Sequence, residues 1–76
     1  MTYELMIPAD IVFDTEKRFE IRLKNGVHSL DYHETVGTTL YRLGGEDYCY
    51  LIYLTVEMFN KHHEISRFLR RELISR

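Results

Sequence analysis

Tyr48-Cys49-Tyr50-Leu51-Ile52-Tyr53-Leu54-Thr55-Val56-Glu57-Met58-Phe59 decides the fold of this chain, because it reads either as a strand running into a helix or as part of one long helix. Leu51, Leu54 and Met58 fit helical spacing, and Ile65 and Leu69 continue it. Against that, Tyr-Cys-Tyr-Leu-Ile-Tyr is a poor helix sequence, whereas aromatic and β-branched side chains suit a pleated, half-buried strand. Tyr48 to Leu54 is therefore read as a strand, with a helix beginning at Thr55 rather than near Glu46.

Upstream, Thr38 to Leu43 is rich in the same residue types, and Gly44-Gly45-Glu46-Asp47 separates the two runs as a hairpin loop. A four-residue loop sets Tyr41 opposite Tyr50 and brings Tyr48 to the same face. A second hairpin lies in Phe19-Glu20-Ile21-Arg22-Leu23-Lys24-Asn25-Gly26-Val27-His28-Ser29-Leu30-Asp31-Tyr32. Asn25-Gly26 suits a type I′ turn, which predicts Leu23 opposite His28, Ile21 opposite Leu30, Glu20 opposite Asp31 and Phe19 opposite Tyr32. Phe19, Ile21, Leu23, Leu30 and Tyr32 then share the apolar face. Tyr3 to Ile7 and Ile11 to Phe13 are two further short strands, the second joined to the hairpin through the turn-like Asp14-Thr15-Glu16-Lys17.

Downstream, Thr55 can cap a helix, although Met58 in the third position leaves no capping box. Met58, His62, Ile65, Leu69 and Leu73 recur at three- and four-residue steps as one apolar stripe, with Phe68 at its edge. The expected architecture is α+β: a small antiparallel sheet of four or five strands, built from two hairpins, with one C-terminal amphipathic helix packed on one face. Residues 1–76 form a single domain, 1–54 mostly β and 56–75 helical. Phe19, Ile21, Leu30, Ile65 and Leu69 are expected to meet between sheet and helix.

Charge follows the same division. Residues 1–56 hold five Lys/Arg against nine Asp/Glu, a net of −4, whereas 57–76 hold five against three, a net of +2. The chain's −2 conceals that polarity, and a polarity of this kind points to a partner surface. Six Tyr and four Phe supply a core large enough for a globular domain, and a chain this short often gains stability by self-association, which makes a homodimer an expectation. The lone Cys49 excludes an internal disulfide framework and a cysteine-based zinc ribbon, and it suits a reducing, cytoplasmic location. Met1-Thr2-Tyr3-Glu4-Leu5 lacks a basic signal-peptide start, and the nine-residue apolar run Tyr48 to Val56 is far below the ~20 residues that span a bilayer. No membrane partner is expected.

No catalytic, cofactor or metal site is expected. His28 and His33 sit five apart on a strand, so they face opposite ways, and neither His62 nor His63 has a ligand four residues later. His62 suits a hydrogen-bonded core position and His63 a solvated one. Glu20 opposite Asp31 resembles an acid–base pair, but Arg18 and Arg22 flank it as in a screened surface cluster. Cys49 has no sequence-visible base beside it, the serines lie in no nucleophile-elbow pattern, and Gly44-Gly45 lacks phosphate-loop spacing.

Two surfaces remain. Arg67, Arg70, Arg71 and His63, bordered by Phe59 and Ile74, would form an amphipathic outer helix face, a composition that matches interface hot spots. Tyr41, Tyr48 and Tyr50 are the alternative surface. The expected function is a small cytosolic protein-binding module, an adaptor, regulator or inhibitor that binds a protein of acidic surface by surface complementarity. A phage-encoded inhibitor of a host protein is an analogy of the same size. The rival reading is a nucleic-acid-binding regulator, acting as a dimer, that puts the basic helix on phosphates; the net charge of −2 argues against it.

Overall fold

Runs rich in β-branched, aromatic and other apolar side chains form the strands Thr2–Pro8 (β1), Val12–Asp14 (β2), Arg18–Leu23 (β3), Gly26–Asp31 (β4), Gly37–Gly44 (β5) and Asp47–Thr55 (β6) in the computed structural model. The structure describes residues 1–66 and, as a further strand β7, the backbone of Arg70–Leu73. Two short 3₁₀ turns, Ala9–Ile11 and Tyr32–Glu34, link strands, and helices α1 (Val56–Lys61) and α2 (His63–Ser66) follow β6.

The strands form two antiparallel sheets. One runs β5-β6-β1, with β7 added to the free edge of β1, and the other runs β2-β3-β4. Pairing of β1 with β6 sets Leu5 against Ile52 and Tyr3 against Leu54. From the second sheet come Val12, Phe19, Ile21 and Leu30, and these meet Leu5, Ile7, Ile52 and Leu54 in a single buried cluster. Phe59 of α1 and Ile65 of α2 close one end of it. Two aromatic contacts lock the layer: Phe19 meets the edge of Tyr32 at 4.6 Å and of Tyr50 at 5.7 Å between ring centroids. Among the described residues, no helix is long and apolar enough to cross a membrane.

The α+β architecture is therefore overturned, since the protein is mostly β and, among the described residues, has no long C-terminal helix. Thr55 does cap α1, its Oγ1 accepting the Met58 N–H at 3.3 Å, but α1 stops at Lys61 and α2 lasts four residues. Two physical causes are visible. His62 leaves helical geometry (φ −104°, ψ 47°) and its ring bonds Glu34 across the fold. Further on, β1 has a second open edge, and Arg70–Leu73 satisfies it with Thr2↔Leu73 and Leu5↔Arg70 pairing. Backbone groups paired along a buried strand outweigh a three-four periodicity whose worth lies only in packing. Four of the five expected core members, Phe19, Ile21, Leu30 and Ile65, are buried together, while Leu69 lies outside the described residues.

Both hairpins exist, with registers other than those expected. In the first, Leu23 pairs with Gly26, Ile21 with His28 and Phe19 with Leu30, so the chain turns at Lys24-Asn25. Asn25 keeps a negative φ and Gly26 alone takes a positive one, 135°. A slip of two residues preserves the faces, which is why the apolar set was correct although its partners were not. Glu20 consequently lies opposite Ser29, not Asp31, and Arg18 bonds Glu20 at 3.0 Å. In the second hairpin Gly44 pairs with Asp47, Arg42 with Tyr48 and Tyr41 with Cys49, the extra residue being absorbed by a bulge at Leu43. Here the slip is of one residue, and it puts Tyr41 on the face opposite Tyr48 and Tyr50.

Candidate functional site at the β5–β6 hairpin

Among the described residues no long C-terminal helix carries the residues expected to form a basic face. Phe59 is buried, 8% exposed, and stacks on Tyr3 with ring centroids 4.1 Å apart, so it belongs to the core and not to a partner surface. His63 is exposed on α2. Arg70 and Arg71 are consecutive residues of strand β7 and belong to no helix. Arg67 and Ile74 lie outside the described residues.

The tyrosine surface is split in the same way. Tyr48 and Tyr50 share the inward face of β6, where Tyr50 packs against the core and Tyr48 projects beyond it. Tyr41 sits on the outward face. What the hairpin presents instead is a strand open on both faces: Leu40 is 55% exposed, Tyr41 49% and Leu43 58%. The three-stranded sheet covers β6 and β1 and stops short of β5, so Leu40, opposite the partly buried Tyr50, finds no apolar layer above it. Gly45 takes the positive φ of 55° that closes the tip, and the Arg42 guanidinium donates to the Gly45 carbonyl across it.

Beside the hairpin tip lies a groove of about 500 Å³. Met6, Pro8, Ala9, Leu43 and Cys49 give it an apolar lining. Asp10, Glu46 and Asp47, all exposed, add three carboxylates, and Tyr48 borders it. Cys49 is 1% exposed, and burial first, then the charge of Glu4, push its thiol up from its ordinary pKa. A thiol in that state is a packing group and a poor nucleophile. Nearby on the outward face of the same sheet, the Tyr53 phenol is raised by burial and by its hydrogen bond to Glu4. The groove thus offers apolar contact and negative charge without an activated group. The signal for it was present in the sequence as Glu46-Asp47 beside Leu43 and Cys49, but its third carboxylate, Asp10, arrives only through the β1–β6 pairing.

A second polar cluster ties the ends of the fold. Glu34 Oε2 accepts from Lys61 Nζ at 2.6 Å and meets His62 Nε2 at 3.0 Å, while its Oε1 accepts the Asp31 N–H at 3.3 Å. Those contacts, Lys61 foremost, hold its carboxyl down to about 2 although burial opposes them. Close by, Asn25 donates to Glu64 at 3.0 Å and His28 lies 3.6 Å from the same carboxylate. His62 is thus the hydrogen-bonded, largely buried histidine that the sequence suggested. Among the described residues no three His, Cys, Asp or Glu side chains are grouped to hold a metal ion. The cluster is explained by its structural work of joining the 3₁₀ turn and the first hairpin to α1 and α2.

No family model, curated protein or solved structure matches this chain.

Proposed function

We propose that this chain is a small cytosolic protein-binding module, acting as an adaptor, regulator or inhibitor through surface complementarity at the β5–β6 hairpin. The observation that carries the reading is the groove of about 500 Å³, in which an apolar lining meets the carboxylates of Asp10, Glu46 and Asp47. That combination suits a long side chain with an apolar stem and a cationic head, so the partner segment is one that presents Lys or Arg beside apolar residues. Exposed Tyr48 and Leu43 at its margin add amphipathic and apolar contact of the kind that anchors interfaces. Because the groove is itself acidic, its partner is not one of acidic surface. Three carboxylates repel phosphate, so nucleic acid is not the proposed ligand. The cytosolic assignment rests on Cys49, a free and buried thiol.

The test is titration of isotope-labelled protein with short peptides that alternate Lys or Arg with Leu, alongside the same peptides carrying Glu in place of the cations. Amide shifts at Met6, Ala9, Leu43 and Cys49 with the cationic set, lost in a Glu46→Lys/Asp47→Lys variant, support the reading. Equal shifts with the Glu peptides, or shifts confined to residues outside the groove, overturn it.

A further inference from the structure

The groove leaves one feature of the hairpin unused: the outer edge of β5. We infer that this edge is where a second copy of the chain adds, pairing β5 with β5 antiparallel across a two-fold axis to make one continuous sheet. Among the described residues no strand pairs with that edge, although β5 is eight residues long and every residue from Thr38 to Gly44 is exposed. The other sheet ends are poorer candidates. β2 is three residues and β7 four, and the β4 edge carries His28, which is engaged with Asn25 and lies against Glu64 of α2. An open edge of Thr, Leu and Tyr without proline is a template for backbone pairing, since each unpaired N–H and C=O along it is a ready partner for another strand.

A second copy fits better than an arbitrary strand because the charge on β5 is compatible with itself. A two-fold axis perpendicular to the sheet keeps each face on its own side, so opposed residue numbers must sum to an even value. In every such register centred on Thr39, Leu40 or Tyr41, the strand's one charge, Arg42, falls opposite Val36, Thr38 or Leu40 of the other copy and never opposite another Arg42. In the register centred on Leu40, Leu40 meets itself and Tyr41 meets Thr39, so their exposed surface is buried against apolar or small neighbours. With ~3.3 Å per residue, the edge is roughly 26 Å long and only one strand deep, far short of the ~800 Å² per partner of a standard interface. The dimer is therefore in exchange with monomer over ordinary laboratory concentrations. Edge pairing leaves the outward sheet face free, so both acidic grooves lie on the same side of the joined sheet and present two sites to one partner.

Light scattering over a concentration series, combined with cysteine cross-linking, tests this. The expected result is a mass rising from the 9.2 kDa of one chain toward twice that value, reduced to one chain at every concentration by Thr39→Lys/Tyr41→Lys. Leu40→Cys or Tyr41→Cys should give a disulfide-linked dimer on mild oxidation, faster than Val27→Cys on β4 by tenfold or more, the native Cys49 being buried and silent. The substituted side chains are exposed, so unchanged circular dichroism checks that the variants fold. A mass that stays at one chain throughout overturns the proposal, as does cross-linking that is faster through Val27→Cys. Because the peptide titration reads the groove and these measurements read the edge, either proposal can fail while the other stands.

Discussion

Glu34 and Lys61 are joined by a 2.6 Å hydrogen bond across 27 residues of sequence, from the 3₁₀ turn after β4 to the last turn of α1. The carboxylate is buried and the ammonium largely exposed, so the lysine stem lies over the turn while its head remains hydrated. With His62 on the same oxygen, Glu34 holds the short helices onto the sheets at the point where the chain leaves helical geometry.

Glu34 should therefore give the fold an acid-sensitive component. Its carboxyl is depressed from 4.5 to about 2, with the Lys61 bond as the largest cause, so the stability it contributes is complete above pH ~4.5 and lost as pH falls toward ~2. Chemical denaturation between pH 6 and pH 2 should show this loss in the parent and a flatter profile in Glu34→Gln. At pH 7 the substitution should cost roughly 1–3 kcal/mol, because it weakens two charged hydrogen bonds and leaves His62 poorly partnered.

Phe59→Ala should be one of the most damaging single changes, costing roughly 3–5 kcal/mol by loss of the Tyr3 stack and of core volume. A thermal or denaturant midpoint near that of the parent would return Phe59 to the surface.

Gly26→Val should cost on the order of 1 kcal/mol or more, since a β-branched residue resists a φ of 135° although nothing lies within 4 Å of the added Cβ. Asn25→Ala tests a different cause: it removes the bond to Glu64 without touching a positive φ, and its loss should be smaller, about 0.5–1.5 kcal/mol. A denaturant midpoint that falls further for Asn25→Ala than for Gly26→Val would reverse that ranking.

The Cys49 thiol should react slowly with an uncharged disulfide reagent in the native state and rapidly in denaturant. Burial keeps it protonated and out of contact, so its native rate should report opening of the sheet rather than thiol chemistry. Alkaline acceleration well below the onset of unfolding would contradict that.

The strand reading of Tyr48–Leu54, the cap at Thr55, the two hairpins and the apolar face of Phe19, Ile21 and Leu30 were all legible in the residues. Each depends on neighbours a few positions away, where propensity and alternation act directly. The hairpin registers were not. At Asn25-Gly26 the usual turn pairing competes with a bond from Asn25 to Glu64, 39 residues distant, and at Gly44-Gly45 the bulge at Leu43 shifts the pairing by one and turns Tyr41 away from Tyr48.

Sequence by itself determined that this chain carries short amphipathic strands, a capped helical start after Thr55 and an acidic N-terminal portion, because these are properties of local composition and period. Only the tertiary structure decided that Arg70–Leu73 is a strand, that Phe59 is core and that Asp10 joins Glu46 and Asp47. The helical stripe and the β1 edge compete for the same residues, and the winner is set by an open row of backbone donors and acceptors on a strand more than 60 residues earlier. A local pattern carries no record of that distant edge, so the decision belongs to the packed chain.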